Sequence, residues 1–308
     1  MHRRYIRAAG GAMACRLPAA QQRAATCRWA DHWPLRRTRP QPQLQPLPAT
    51  YRAAVTDTRG IDLDRLTGVT AAVEDVRSAV AALRRHPANR TVRPRTAAAA
   101  SVRAARASAA LDGAPLSLDP DTESVTDPVL AGALRVAAGI GPMATVWPRA
   151  PLQVLARLHT LAAAGLVPTA ELGRPRSADP SGVDPLGADP GLAARLAGLA
   201  HLVTSAPWSA PVQVAVVHGE LLSIEPFGAA NGVVARAAAR LTLMSSGLDP
   251  AGLGIPEVAH LRAASRYRTL AAAFAAGDRD GTAGWIFEVC RCLVDGAREG
   301  VSMADAAV

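Results

Sequence analysis

The chain has 308 residues, enough for one large domain or two small ones, and 49% are apolar while only 4% are aromatic. Ala, Leu and Val must therefore build the interior, which favours helices over sheets because alanine loses no side-chain entropy in a helix. The net charge of +9 sits almost wholly in residues 1–50, where nine arginines face Asp31 alone; the other 258 residues carry about +1, which excludes a nucleic-acid-binding face inferred from overall charge.

Every basic residue is arginine, read here as the codon bias of a GC-rich genome. Residues 1–58 form an Arg- and Pro-rich segment with Pro34, Pro40, Pro42, Pro46 and Pro48 and no helical period, the composition of a disordered tail. No apolar run follows the early arginines, so a secretory leader is not expected. The longest uncharged stretch, 197–219, is interrupted by Pro207 and Pro211, so no membrane span is expected and a cytoplasmic location follows. Cys15, Cys27, Cys290 and Cys292 lack metal-ligand spacing and read as free thiols.

A helical domain is expected over 59–300, with a flexible C-terminus at 301–308. Leu66, Val69, Val73, Val76, Val80 and Leu83 recur at steps of three and four, an amphipathic helix ending before Pro87. A second helix, about 96–112, is Ala- and Arg-rich and stops at Gly113, a C-cap position. A third spans about 127–138, and a fourth follows Pro151 with Val154, Leu155, Leu158 and Leu161 on one face. Residues 172–189, with Gly173-Arg174-Pro175-Arg176 and three Asp-Pro pairs, read as an exposed loop or short hairpin. Asp189 and Pro190 then open a helix as N-cap and first residue. Helices at 211–224, 232–246, 256–276 and 282–298 complete a set of about nine, with no run of strands.

Gly139-Ile140-Gly141-Pro142-Met143-Ala144 matches a dinucleotide-binding pattern. It is expected at a helix end rather than after a strand, and no acid follows at the required distance. His159, His201 and His260 form no sequence cluster and read as packing or surface residues, and Trp147, Trp208 and Trp285 as core anchors.

The informative segment runs from His218 through Glu225-Pro226-Phe227-Gly228-Ala229-Ala230-Asn231-Gly232-Val233-Val234-Ala235-Arg236. A helix, a tight turn and a second helix would aim the amides near 229–233 into a cleft. Such a helix N-terminus attracts anions, because its first amides lack partners and the dipole favours negative charge. Asn231 offers a side-chain donor, and Arg236, one turn in, can reach a phosphate. The purely structural reading is an interhelical turn in which Gly232 allows close approach and Arg236 sits in an ion pair.

This segment resembles the signature of the Fic/Doc (Fido) family, His-x-Phe-x-(Asp/Glu)-Gly-Asn-Gly-Arg-x-x-Arg, whose members transfer AMP or related groups from nucleotides to protein hydroxyls. Phe227, Asn231, Gly232 and Arg236 are kept, with the common Pro226, and His218 falls where the family often has a helix histidine. Glu225 stands at the catalytic His, Ala229 at the magnesium-binding acid, Ala230 at a Gly and Val233 at the first Arg. Ser108-Ala109-Ala110-Leu111-Asp112-Gly113 is similar to the family's inhibitory pattern (Ser/Thr)-x-x-x-Glu-Gly, with Asp for Glu. Gly173 to Arg176 resembles the Gly-x-x-Arg before its flap.

The resemblance implies an all-α, Fic-like helical bundle with a short loop or hairpin flap, of a degenerate actinobacterial type. It places Ser108, Asp112 and Gly113 in an inhibitory motif, Asn231, Gly232 and Arg236 at phosphate, and His218, Pro226 and Phe227 as scaffold. Its expected ligand is ATP or another nucleotide, without a metal; its partner is a protein target, with a homodimer allowed and no nucleic acid or membrane. A carboxylate is a weaker base than imidazole by about two pKa units, and loss of the metal acid removes the metal–phosphate clamp. The expected function is therefore a pseudoenzyme that keeps an anion hole without standard AMP transfer. Two alternatives stand beside it: an atypical nucleotidyl- or phosphotransferase using Glu225, and a purely structural interaction module.

Overall fold

The computed structural model describes residues 62–91, 93–116, 125–176 and 190–306. The expected tail at 1–58, the Asp189 cap and most of the loop at 172–189 lie outside them. All the described residues belong to one unit, Leu47–Val308, and they contain helices and no strand.

Eleven α-helices follow in order: α1 Val69–Arg85, α2 Pro87–Thr91, α3 Arg93–Leu111, α4 Pro128–Val146, α5 Pro151–Ala163, α6 Pro190–Ser205, α7 Ala210–Ile224, α8 Asn231–Ser245, α9 Pro256–Arg262, α10 Ala264–Ala276 and α11 Arg279–Asp305. Single 3-10 turns at Leu63–Arg65 and Thr169–Glu171 accompany them.

The hairpin α7–α8 is the centre. Pro211 through Leu221 and Val233 through Leu243 are buried without a break, with His218, Glu220, Arg236 and Arg240 among the buried polar side chains. One half of the core joins this hairpin to α3, α4, α5 and α6; the other joins it to α1, α10 and α11. A fully buried tryptophan anchors each half: Trp147 donates to Thr242 Oγ1 at 3.0 Å and Trp285 to the Ala215 carbonyl at 2.8 Å. Trp208 is only partly buried. Gly219 is obligatory, because a Cβ there would stand 2.7 Å from the rings of Phe274 and Trp285.

Several expectations need correction. The helix expected at 127–138 runs to Val146, so Gly139–Ala144 lies inside α4 and not on a phosphate-binding loop. Pro142 removes one donor from this helix, but Ile140 and Met143 stay buried on its inner face and Trp147 closes it by donating to Met143 O at 2.8 Å. Among the described residues α4 is the one helix long and apolar enough to cross a membrane by length and composition. It carries Arg135, which donates to the carbonyls of Leu161 and Ala164 at 2.9 and 2.7 Å. The helix expected at 256–276 breaks at Ala263 (φ −113°, ψ 35°) into α9 and α10, and α2 is additional, giving eleven helices against nine. Finally, α11 continues to Asp305 through the segment expected to be flexible. Ala304 is fully buried there, and His86 Nε2 meets Asp305 Oδ1 at 2.9 Å.

Candidate functional site

The turn between α7 and α8 is built by two non-glycine residues in the left-handed region. Glu225 (φ 41°, ψ 65°) ends α7 and Ala230 (φ 57°, ψ 19°) opens α8. Between them Pro226 and Phe227 are buried. Asn231 closes the turn with both ends of its carboxamide: Oδ1 accepts from Phe227 N at 2.9 Å and Nδ2 donates to Phe227 O at 2.8 Å. The side chain expected to stand free as a phosphate donor is thus a clamp on its own loop. Ala230 gives no side-chain cap, so the leading amides of α8 keep their attraction for an anion.

That anion is the carboxylate of Asp112. A Cβ at position 232 would overlap its oxygens, so only glycine lets the carboxylate settle on the first turn of α8. Asp112 arrives there because α3 ends in a Schellman motif: Ala114 N donates to Ala109 O and Gly113 N to Ala110 O, both at 3.1 Å, with Gly113 at φ 99°. Two arginines cap the free carbonyls of that end. Arg268 Nη2 donates to Leu111 O at 3.2 Å, and Arg236 Nη2 donates to Ser108 O at 2.9 Å.

Arg236 is the hub. It is 3% exposed; its Nε donates to Ser108 Oγ at 2.7 Å, its Nη2 meets Asp112 Oδ1 at 2.8 Å and its Nη1 reaches Tyr267 Oη at 3.5 Å. Burial opposes its charge, but Asp112 and Tyr267 outweigh that and hold its pKa above the ordinary arginine value.

Tyr267, which no sequence motif marked, links this group to His218, whose Nε2 is 3.0 Å from the phenol oxygen. Burial first, then His260 and Arg236, holds His218 well below the ordinary imidazole range. A neutral His218 accepts the phenol proton at Nε2, leaving the Tyr267 oxygen to accept from Arg236, the one assignment that satisfies all three groups. His260 is a packing residue, one of the two readings its sequence allowed. Its ring lies 5.3 Å from His218 and 4.7 Å from Tyr267, and burial, then Arg236 and Arg291, push its pKa down to about 3.

The strap at Gly173–Arg176 lies on the other side of the turn. Arg176 N donates to Pro226 O at 2.8 Å, while its guanidinium reaches Glu225 O at 3.0 Å and Ile224 O at 3.4 Å, capping the end of α7. Gly173 N donates to His159 Nδ1 at 2.9 Å, and the His159 ring stacks on Phe227 at 4.1 Å and 4°. His159, expected as a packing or surface residue, packs between strap and turn; burial lowers its pKa.

The positions where chemistry was expected are otherwise spent. Glu225 is exposed, and its carboxylate has no hydrogen-bond or ion-pair partner among the described residues. Ala229 has no ligating atom. Val233 faces the core and lines a cavity of about 30 Å³ with Ser108 and Arg236. Among the described residues no three His, Cys, Asp or Glu side chains converge as metal ligands, and Cys290 and Cys292 are buried free thiols. At the head of α8 the space that Gly232 leaves is taken by the Asp112 carboxylate.

No protein-family model matches the sequence, and no curated protein matches it significantly. Solved structures do match. A Fic family protein from Desulfovibrio desulfuricans is 22% identical with a TM-score of 0.59, over 75% of this chain and 74% of that one. Fic-1 from C. elegans is 15% identical with a TM-score of 0.53, over 84% and 73%, and a point variant of the same fragment is 15% identical with a TM-score of 0.54, over 83% and 73%. At such identities the likeness speaks for architecture: the chain has the Fic fold.

Proposed function

We propose that this Fic-fold protein is a pseudoenzyme whose anion hole is held shut by its own Asp112 and takes a nucleotide or another phosphate only when that carboxylate leaves. The observation that carries the reading is the seat of Asp112, placed on Gly232 and paired with Arg236 at 2.8 Å. A phosphate and this carboxylate would compete for one dipole and one guanidinium. Loss of transfer activity is supported by what surrounds the turn. The group at the family's base position is an exposed carboxylate without a partner to orient it, and the positions of the metal acid and first arginine are an alanine and a core valine. A general base must be positioned before its pKa matters.

A second reading, a permanently closed interaction module, is favoured by the completeness of the Arg236 contacts: Ser108, Asp112 and Tyr267 take up all three of its nitrogens. A nucleotide panel in thermal shift separates the two, because no stabilisation even of the Asp112→Ala variant would favour the module. Incubation of the protein with isotope-labelled ATP and cell lysate tests the absence of transfer. Labelling of protein that disappears in Arg236→Ala would overturn the pseudoenzyme reading.

A further inference from the structure

The chain from the end of α1 to the start of α3, residues 84–95, holds five arginines and no acid. Three of them, Arg84, Arg85 and Arg93, line an open groove of about 390 Å³ between this corner and the segment 249–253 that follows α8. The corner is pinned from beneath. Asn89, 3% exposed, donates from Nδ2 to Leu83 O at 2.9 Å, and its Oδ1 accepts from Thr96 Oγ1 at 2.8 Å. The last turn of α1 and the first of α3 are thereby tied to one side chain, and the backbones that carry the arginines are held in place.

The charge of this corner is uncompensated. Elsewhere on the surface Arg77, Arg262 and Arg298 each meet a carboxylate, at 3.6, 2.8 and 3.1 Å. Arg85 and Arg93 are exposed and meet none among the described residues. Arg84 donates to the carbonyls of Gly247 and Leu248 at 3.3 and 3.2 Å, which covers two oxygens that would repel an anion and leaves its own charge unpaired. Asp249, the acid of the lining, is fully buried, and its two oxygens accept from Leu253 N at 3.1 Å and Gly254 N at 2.8 Å within its own loop. The N-terminal end of α3 adds partial positive charge beside Arg93.

The groove is thus basic at its rim and apolar on its floor, where Ala81, Ala251 and Leu253 lie. Guanidinium forks pair with carboxylates through two parallel hydrogen bonds. Two features select a peptide among anionic partners. No aromatic side chain lines the groove, so the bases of a nucleic acid would find no stacking platform. The apolar residues lie at the bottom of a concavity, where they cannot enter a bilayer as a protruding face does. We infer that this groove binds an acidic peptide segment of a partner protein, its carboxylates on Arg85 and Arg93 and one apolar side chain on the floor. It lies at the opposite end of α3 from Asp112, roughly 27 Å along the helix, so the inference is independent of what the cleft at Gly232 holds.

Fluorescence anisotropy of a fluorescein-labelled peptide, Asp-Glu-Asp-Leu-Glu-Asp-Glu, titrated with the full chain at low salt tests it. Saturable binding is expected. Arg85→Glu combined with Arg93→Glu should weaken it about tenfold or more with the thermal transition kept, since neither side chain has a partner to lose. The control is Arg149→Glu with Arg157→Glu, which takes the same charge from two other exposed, unpaired arginines and should change binding by less than about twofold. The arginine-rich residues 1–50 are the same in both and cancel from the comparison. A peptide with serine in place of leucine should bind about fivefold more weakly. Absence of binding to the wild type overturns the inference, as does a loss in the groove variant no larger than in the control, which would make the attraction one of net charge. So does equal binding of the serine peptide, or tighter, groove-dependent binding of a single-stranded oligonucleotide of equal charge, which would make the groove a nucleic-acid site.

Discussion

Removing the Asp112 carboxylate probes the closed site most directly. In Asp112→Ala the guanidinium of Arg236, 3% exposed, loses its counter-charge but keeps Ser108 and Tyr267. Breaking a fully buried pair costs about 3–5 kcal/mol. Asp112 is 25% exposed and water can follow its removal, so about 2 kcal/mol is expected. For a domain of this size that lowers Tm by about 4–8 °C. The same 2 kcal/mol, no longer needed to displace the carboxylate, should raise affinity for a phosphate-bearing ligand about thirtyfold. A ligand at a hundred times its Kd returns about 2.7 kcal/mol, so a saturated variant should melt at or above the ligand-free wild type. Differential scanning fluorimetry with ATP, ADP, GTP and pyrophosphate reads the stability, and calorimetry reads the affinity; Asp112→Asn, which keeps the shape and loses the charge, should behave alike. A variant as stable as the wild type, or one with unchanged affinity for every ligand tried, would refute the reasoning.

Gly232→Ala places a Cβ where the Asp112 oxygens lie, so it should cost about 1–3 kcal/mol in urea unfolding. In an Asp112→Ala background it should cost markedly less, a coupling read by the double-mutant cycle. Tyr267→Phe strands a donor of Arg236 and an acceptor of His218, and should lower stability by about 1–3 kcal/mol in the same assay. The buried His260 predicts acid sensitivity. Its folded pKa is about 3 against 6.5 in the unfolded chain, so below 6.5 the unfolded state binds the extra proton and stability falls as pH falls towards 3. Between pH 7.5 and 5 this amounts to about 2 kcal/mol; His260→Phe should flatten that slope in urea titrations, and an unchanged slope would locate the acid sensitivity elsewhere.

What the sequence discloses follows the range of the interaction. The α7–turn–α8 unit is legible because its glycine, asparagine and buried phenylalanine act within twelve residues, and the end of α3 because Gly113 is a local terminator. Tyr267, Arg268 and His260 are not legible: they reach the site from α9 and α10, and nothing in a helical period says which distant helix lies across which. The break at Ala263 escapes for another reason, since neither glycine nor proline marks it. The run Gly139–Ala144 misleads because proline and glycine discourage a helix only while nothing else rewards one; burial of Ile140 and Met143 does.

The Schellman end of α3 makes the state of the cleft a matter of counting residues. Each added helical residue turns the next side chain by about 100° and advances it about 1.5 Å. If α3 wound on by one residue through position 113, the Ser108 carbonyl that now accepts from Arg236 would take the Asp112 amide instead, and Arg236 would lose one of its holds on this helix end. Whatever solvent condition, partner or substitution lengthens or frays that one terminus therefore acts on the mouth of the cleft without touching it, and a search for modulators of this protein should begin at the stop of a helix rather than at the pocket.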